Sequence, residues 1–164
     1  MKARDLMSPL SKYLEPDFTL REAADLLGTA RWENGQIGEE AMPVLDSKGK
    51  LIGILSIGDI LKVVYPKYMH LVDSGSSRWN EIVETLANKM TGRKVRDFMT
   101  QIVITVKEDS TLMECMDHML KNNVKRVPVL DRGNRVVGML HERDIFYCIA
   151  EAVQNNNLKA QHEE

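Results

Sequence analysis

The stretch Gly53-Ile-Leu-Ser-Ile-Gly-Asp-Ile60 returns later in the chain as Gly138-Met-Leu-His-Glu-Arg-Asp-Ile145. In both copies a glycine and two apolar residues precede a polar residue, and an aspartate follows three positions after it. This pattern is typical of a buried strand that runs directly into a helix with an acidic first turn. An α/β unit that occurs twice predicts a duplicated fold with paired sites.

The repetition extends outward from this stretch in three further blocks. They are Arg4-Asp-Leu-Met-Ser8 with Arg96-Asp-Phe-Met-Thr100, Thr19-Leu-Arg-Glu22 with Thr111-Leu-Met-Glu114, and Met42-Pro-Val-Leu-Asp46 with Val127-Pro-Val-Leu-Asp131. The offset between copies falls from 92 to 85 positions along the chain. The first copy therefore holds seven extra residues, which we place in a polar loop at about 32–40.

Each copy predicts the order β-α-β-β-α. Thr19 and Thr111 open capping boxes, so the first helices begin there. We expect the remaining elements at these places: leading strands near Tyr13–Leu14 and 102–105, hairpins 42–55 and 126–140, and second helices from Ser56 to about 65 and from His141 to about 153. The predicted organisation is a first repeat at 1–65, a linker with a helix at 66–93, a second repeat at 94–153 and a flexible tail at 154–164.

Composition limits the function classes. Apolar residues make up 43% of the chain, charged residues 28%, and the formal charge is −2. These values are ordinary for a soluble globular protein and provide no general attraction to nucleic acid or membranes. The start of the chain does not resemble a signal peptide, and no stretch has the ~18–20 apolar residues of a membrane helix. Cys115 and Cys148 have no cysteine or histidine partner at metal spacing, so two reduced thiols in a cytoplasmic protein are expected.

The ordered set of motifs, present twice, resembles the cystathionine-β-synthase (CBS) domain, and two in tandem resemble a stand-alone CBS pair or Bateman module. The resemblance covers roughly residues 3–65 and 94–153. It implies an α+β fold in which two β-α-β-β-α repeats form one pseudo-two-fold module with an extra linker helix. It also implies a homodimer that regulates another protein, with no catalytic role, no catalytic cofactor and no metal.

The resemblance further implies a regulatory ligand in the clefts between the repeats: AMP, ADP, ATP or S-adenosylmethionine. Matched by position, Asp59 and Asp144 would hold the ribose. Ser56, His141 and Arg143 would face the phosphate. The residues beside the base would be Pro43, Val44, Val127 and Pro128.

The chemistry of these residue types is consistent with that assignment. A helix N-terminus attracts phosphate through its free N–H groups, and an ionised aspartate accepts hydrogen bonds from a cis-diol. Arg143 adds a charged donor. The alternative is that Ser56 and Asp59 serve only as a capping box, which contributes about 1 kcal/mol to the helix.

The copies differ at these positions. His141 stands where the family has serine or threonine, and Gly58 stands where the second copy has Arg143. His141 is either a pH-dependent phosphate contact or a polar helix cap in a site that has lost its ligand. We therefore predict inequivalent sites, of which at most one binds tightly, with the copy containing Asp144 and Arg143 favoured for phosphorylated ligands.

Two other function classes compete. A ligand-free dimerisation or scaffold module could act through the linker helix at about 78–90. An enzyme is disfavoured because the chain has no P-loop, no metal-ligand cluster and no nucleophile–base spacing, and its four histidines are scattered. The basic run Arg93, Lys94 and Arg96 is either a solvated linker or a polyanion surface, and nucleic acid is not an expected partner.

Overall fold

The structure is a computed structural model that describes residues 1–30, 40–65 and 79–161. Seven helices and six strands lie in this part of the chain. In order they are α1 (Ala3–Leu6), β1 (Ser8–Pro9), α2 (Leu20–Ala30), β2 (Ala41–Leu45), β3 (Leu51–Ser56), α3 (Ile57–Val64), α4 (Trp79–Met90), α5 (Val95–Phe98), β4 (Val106–Lys107), α6 (Leu112–Lys121), β5 (Arg126–Leu130), β6 (Val136–His141) and α7 (Glu142–Gln161).

The chain forms two compact units. One, the Ser56 unit, contains residues 12–103; the other, the His141 unit, combines residues 1–11 with residues from 104 onward. Each sequence repeat therefore contributes its leading segment to the unit that contains the rest of the other repeat. We call residues 1–11 and 94–103 the leading arms.

The Ser56 unit is built on the antiparallel hairpin of β2 and β3. Isolated bridges extend the hairpin on both sides, from Leu14 to Val44 and from Thr100 to Ile54. Helices α2, α3, α4 and α5 pack around it. Its buried core consists of Leu14, Leu20, Ala23, Leu27, Met42, Val44, Leu55, Ile60 and Val95.

The His141 unit contains a four-stranded sheet in the order β1-β6-β5-β4. The hairpin of β5 and β6 repeats the register of the first hairpin, including an irregularity at Val129/Leu130 that matches the one at Val44/Leu45. Its buried core consists of Ala3, Val106, Cys115, Met119, Val127, Val129, Leu140 and Ile145. Burial raises the pKa of the Cys115 thiol, so this cysteine is a packing residue rather than a reactive one.

Matched backbone hydrogen bonds hold the two leading arms. The N–H of Ala3 donates to the Ser110 carbonyl at 2.8 Å, and the N–H of Val95 donates to the Phe18 carbonyl at 2.8 Å. Both alanine and valine are fully buried. The arms therefore form part of each core and are not loose extensions.

Ion pairs reinforce both arms. Asp109 lies 2.6 Å from Nη1 of Arg4 and 3.4 Å from Nζ of Lys2. Asp17 pairs in the same way with Arg96 and, at 3.3 Å, with Lys94. Two of the three cations in the basic run, Lys94 and Arg96, thus pair with a carboxylate of their own unit, while the choice between a solvated linker and a polyanion surface stays open.

A glycine in each hairpin marks where an arm approaches closely. A Cβ on Gly138 would lie 2.5 Å from the carbonyl oxygen of Ser8. A Cβ on Gly53 would lie 2.4 Å from Sδ of Met99. The Met-Ser/Thr pair of each repeated motif therefore packs against a glycine of a strand: Met7 and Ser8 against Gly138, and Met99 and Thr100 against Gly53.

Most predicted elements are confirmed to within two residues, and two are wrong in position. The second leading strand is β4 and not 102–105: Ile102 is 86% exposed, whereas Val106 is buried and pairs in parallel with Val129. The second helix of the second repeat, expected to end at about 153, continues as α7 to Gln161, since 154–157 contains no glycine or proline to end it. The predicted loop at 32–40 and the first part of the linker, 66–78, lie almost wholly outside the described residues.

Candidate functional site

The predicted polar residues lie at two equivalent junctions between a strand and a helix. At the first, β3 ends at Ser56 and α3 begins at Ile57; at the second, β6 ends at His141 and α7 begins at Glu142. The first helical N–H of each junction donates to a carbonyl just before the hairpin, Ile57 to Glu40 at 2.8 Å and Glu142 to Lys125 at 2.9 Å. The backbone of the two junctions is therefore the same.

At the Ser56 junction, serine and Asp59 form a complete capping box. Oγ of Ser56 accepts from the N–H of Asp59 at 3.1 Å, while the N–H and hydroxyl of Ser56 donate to Oδ2 of Asp59 at 2.9 and 2.8 Å. Oδ1 of Asp59 lies 3.8 Å from Nζ of Lys62, and the aspartate side chain is 18% exposed. The predicted capping role of Ser56 and Asp59 is thus confirmed. Oδ2 of Asp59 takes part in the cap, whereas Oδ1 lies near the ammonium group of Lys62.

At the His141 junction, a buried imidazole replaces the hydroxyl. The N–H of His141 donates to Oδ2 of Asp144 at 3.3 Å, and Nδ1 of the same ring lies 3.1 Å from that oxygen. An ionised carboxylate only accepts, so this contact is a hydrogen bond in the tautomer that carries its hydrogen on Nδ1. In that tautomer Nδ1 cannot accept a helical N–H as the serine hydroxyl does.

Arg143 stands beside the second carboxylate. Its Nε lies 3.9 Å from Oδ1 of Asp144, and its side chain is 38% exposed. The matching residue in the other unit is Gly58, which offers no side chain. The structure therefore brings together all three polar residues predicted for the second copy, and both of those predicted for the first.

The four residues predicted to border an adenine base lie one strand away from the junctions. Pro43, Val44, Val127 and Pro128 are all fully buried. Val44 and Val127 belong to the hydrophobic cores of their units. In this structure their side chains serve packing, and their contact with a base stays a prediction.

Sequence reasoning missed the residues that face the junctions across each hairpin. Ala41 lies opposite Ser56, and Arg126 lies opposite His141. The 85-residue offset aligns Ala41 with Arg126. Alignment of the two copies could therefore have identified Arg126 as a difference between the junctions. The second junction therefore carries another cationic residue that the first lacks.

Within residues 1–30, 40–65 and 79–161, no group of three or more histidine, cysteine, aspartate or glutamate side chains is placed to hold a metal ion. No helix in the same ranges is both long and apolar enough to cross a membrane.

Comparison with known proteins supports the same fold. The uncharacterised protein MJ1426 of Methanocaldococcus jannaschii is 34% identical over 65% of this chain and 71% of its own length. Other relatives are longer, and the chain spans from 16% to 62% of them.

Two of the similar solved structures match more than nine-tenths of both chains. CBSX2 of Arabidopsis thaliana, in complex with AMP, is 22% identical with a TM-score of 0.67, covering 92% of this chain and 97% of that one. The CBS domain pair of MJ0100, in complex with 5′-methylthioadenosine and S-adenosylmethionine, is 25% identical with a TM-score of 0.64, covering 91% and 99%.

The repeated strand–helix junctions, the matched hairpin registers and these likenesses agree with a family match. The CBS domain family matches residues 3–66 and 95–151, one segment for each copy of the repeat. This chain belongs to the CBS domain family and carries two CBS domains in tandem.

Proposed function

We propose that this CBS pair is a regulatory module that binds an adenosine-containing ligand, AMP, ADP, ATP or S-adenosylmethionine, and thereby modulates a partner protein. The observation that carries the proposal is the pair of first-turn aspartates, Asp59 and Asp144. Asp59 lies in the helix that follows β3, and Asp144 lies in the helix that follows β6. The two hairpins that end in these strands have the same register. Each aspartate directs Oδ2 to its own cap and leaves Oδ1 within 4 Å of a cation.

The chemistry of this arrangement suits a nucleoside. An aspartate in the first turn of a helix can accept hydrogen bonds from both hydroxyls of a ribose. The positive end of the helix dipole and Arg143 favour a phosphate nearby. The MJ0100 pair, at 25% identity, was solved with two adenosine-containing ligands, which supports this ligand class.

The two junctions should not bind equally. The His141 junction has Arg143 and Arg126, whereas the Ser56 junction has Gly58 and Ala41 at the matching places. Extra positive charge favours phosphorylated ligands at the His141 junction. We therefore propose one tight AMP site per chain, at Asp144, with Pro128 and Val127 in the strand nearest the base.

Isothermal titration of AMP, ATP and S-adenosylmethionine tests this function. Asp144→Ala should weaken AMP binding about 10- to 100-fold, because a hydrogen bond to a charged group contributes about 1.5–3 kcal/mol. Asp59→Ala is the matched control in the other junction and should change AMP binding much less. Two equal, independent AMP sites, or unchanged binding in both variants, would contradict the assignment.

A ligand-free dimerisation module is the second candidate, and one surface favours it. Met116, Leu120, Phe146 and Ile149 line an apolar groove between α6 and α7, with Leu120 74% and Phe146 64% exposed. Apolar surface of this kind is typical of a protein interface, and we propose that it forms a homodimer contact. The absence of thermal stabilisation at millimolar AMP, ATP and S-adenosylmethionine, with a dimer by light scattering, would favour this candidate over the first.

Neither candidate function is catalytic, and the first is regulatory. A bound ligand can switch a partner only if two states of the module bind that ligand with different affinity. Turnover of AMP or ATP by the purified chain would contradict this part of the proposal.

A further inference from the structure

The two junctions share one backbone but carry opposite net charge. We count for each junction the residue whose carbonyl accepts the first helical N–H, the residue opposite the end of the last strand, the first three helical residues and the residue one turn further. In the Ser56 junction two of these are negative and one is positive, a net charge of −1: Glu40, Asp59 and Lys62. In the His141 junction three are positive and two are negative, a net charge of +1: Lys125, Arg126, Arg143, Glu142 and Asp144.

The cations also approach the two aspartates from different ends of the helix. Arg143 directly precedes Asp144, and its Nε lies 3.9 Å from Oδ1 of that carboxylate. Lys62 follows Asp59 by three residues, about 4.5 Å further along the helix axis, and its Nζ lies 3.8 Å from Oδ1. The start of α7 therefore has a guanidinium beside its aspartate, whereas the matching cation of α3 stands one turn away from the helix start.

The start of α3 offers space and apolar surface instead. Gly58 matches Arg143, and among the described residues a Cβ there would lie within 4 Å of Oγ of Ser56 alone, at 3.5 Å. Ile57 matches Glu142 and is 40% exposed. Residues 57–58 thus provide no counter-ion for an anionic group, but they can accommodate an uncharged one.

We propose that the Ser56 junction binds a second adenosine ligand, one with a sulfur substituent at C5′ and no phosphate, while the His141 junction binds AMP. One chain then holds two different ligands at the same time. The inference rests on the proposed function, because it takes Asp59 and Asp144 as ribose contacts. It assigns a ligand class to the junction that AMP does not favour.

The two ligands share the ribose and differ at C5′. Asp59 and Asp144 both use Oδ2 in their caps, so Oδ1 of each can accept from the same cis-diol. The helix dipole acts on both junctions alike and does not separate the ligands. A 5′-phosphate pairs with Arg143 but is repelled by the net negative charge of the Ser56 junction. A thioether is uncharged and a sulfonium is positive, so a 5′-sulfur ligand keeps the ribose contact without this repulsion.

Calorimetric titration of the full chain with AMP, 5′-methylthioadenosine and S-adenosylmethionine tests the proposal. Methylthioadenosine should bind with the same affinity whether or not AMP is present at saturation. Asp59→Ala should weaken methylthioadenosine binding about 10- to 100-fold, as for the loss of a hydrogen bond to a charged group. The same variant should still bind AMP, which shows that it is folded. S-adenosylmethionine should follow methylthioadenosine in both proteins.

Exchange of one residue between the junctions tests whether charge sets the preference. In an Asp144→Ala background, AMP binding reports on the Ser56 junction. There Gly58→Arg should raise the affinity for AMP about tenfold, because it copies the guanidinium of α7. Gly58→Gln is the matched control, since it fills similar space without charge, and it should not raise the affinity for AMP.

Several results would overturn the inference and leave the proposed function intact. They are displacement of methylthioadenosine by AMP, loss of methylthioadenosine binding in Asp144→Ala rather than in Asp59→Ala, and binding of AMP but of neither sulfur ligand. An equal gain in AMP affinity for Gly58→Arg and Gly58→Gln would reject charge as the cause of the preference. No binding of any of the three ligands by the unmodified chain would reject the proposed function, and this inference with it.

Discussion

The Ser56 unit and the His141 unit share one scaffold but differ in the polar residues mounted on it. Both have the same hairpin register, the same strand–helix junction and a leading arm held by an aspartate. The Ser56 junction contains Ser56, Gly58 and Ala41. The matching residues of the His141 junction are His141, Arg143 and Arg126.

This difference separates the residues that maintain the fold from those that set ligand preference. Gly53 and Gly138, and Asp17 and Asp109, occur in both units and contact the leading arms, while Asp59 and Asp144 are the shared candidate ligand residues. Ser56 and His141 occupy the same backbone position, so the fold does not decide between them. Experiments that exchange or remove matched residues can test how far the two units are equivalent.

The largest effect is expected where an arm approaches a hairpin. Gly138→Ala places a Cβ 2.5 Å from the backbone oxygen of Ser8, so the arm must move. Gly53→Ala meets mainly the side chain of Met99, which can change its rotamer. Since forced overpacking costs about 1–3 kcal/mol, we expect the free energy of unfolding to fall by about 3 kcal/mol for Gly138→Ala and about 1 kcal/mol for Gly53→Ala in urea titrations.

Gly28→Ala is the control for these substitutions. A Cβ there meets nothing within 4 Å, and alanine in a helix is more stable than glycine by about 0.5–1 kcal/mol. This variant should therefore be slightly stabilised. Equal losses for Gly138→Ala and Gly53→Ala would contradict this prediction, because they would show that the backbone at Ser8 yields as readily as the side chain of Met99.

The sequence predicted the elements of each unit but not the exchange of the arms. Thr19 and Thr111 placed two helices to within a residue, because a capping box is a local signal. A glycine inside a strand indicates close approach by something, as Gly53 and Gly138 do. The sequence around Gly53 and Gly138 does not indicate which segment approaches them, because Met99 and Ser8 lie far from these glycines along the chain.

The sequence predicts which residues form the candidate site, but it does not predict the contacts among them. The offset of 85 residues placed Asp59 and Asp144 at matching positions, and the structure confirms that both lie in the first turn of a helix. The contact of His141 with Asp144 depends on a rotamer and on burial, which no pattern in the sequence encodes. The burial of Val44 and Val127 similarly follows from the packing of each core.

A smaller effect is expected at the cap of α3. Ser56→Ala removes the hydroxyl that accepts from the N–H of Asp59, which should lower the free energy of unfolding by about 1 kcal/mol. Ser56→Asn is the control, because asparagine caps helices as well as serine does, and it should change stability by only a few tenths of a kcal/mol. Equal losses in alanine and asparagine variants, measured by urea denaturation, would indicate that the hydroxyl acts through packing and not as a cap.

The smallest effect is expected at the aspartates that hold the two arms, and it depends on pH. A hydrogen bond from Lys94, together with the charges of Arg96 and Lys94, holds the pKa of Asp17 below its ordinary value of 3.8. At Asp109 desolvation acts in the opposite direction, but the charges of Arg4, Lys2 and Arg132 outweigh it and also lower the pKa.

A carboxyl whose pKa is lower in the folded state stabilises the fold above its unfolded pKa, and that stabilisation is lost as the pH falls through the folded value. Asp17→Asn and Asp109→Asn should therefore each reduce stability slightly at pH 7 and flatten its decline below about pH 4, the ordinary range for aspartate. Asp109 is 33% exposed and Asp17 is 64% exposed, so solvent and salt should screen the Asp17 pairs more. Thermal unfolding at pH 3 and pH 7, with and without 0.5 M salt (about 4 Å screening length), should show the larger change for Asp109→Asn. An equal change in both variants would mean that the difference in exposure between Asp109 and Asp17 does not set the contribution of their ion pairs to stability.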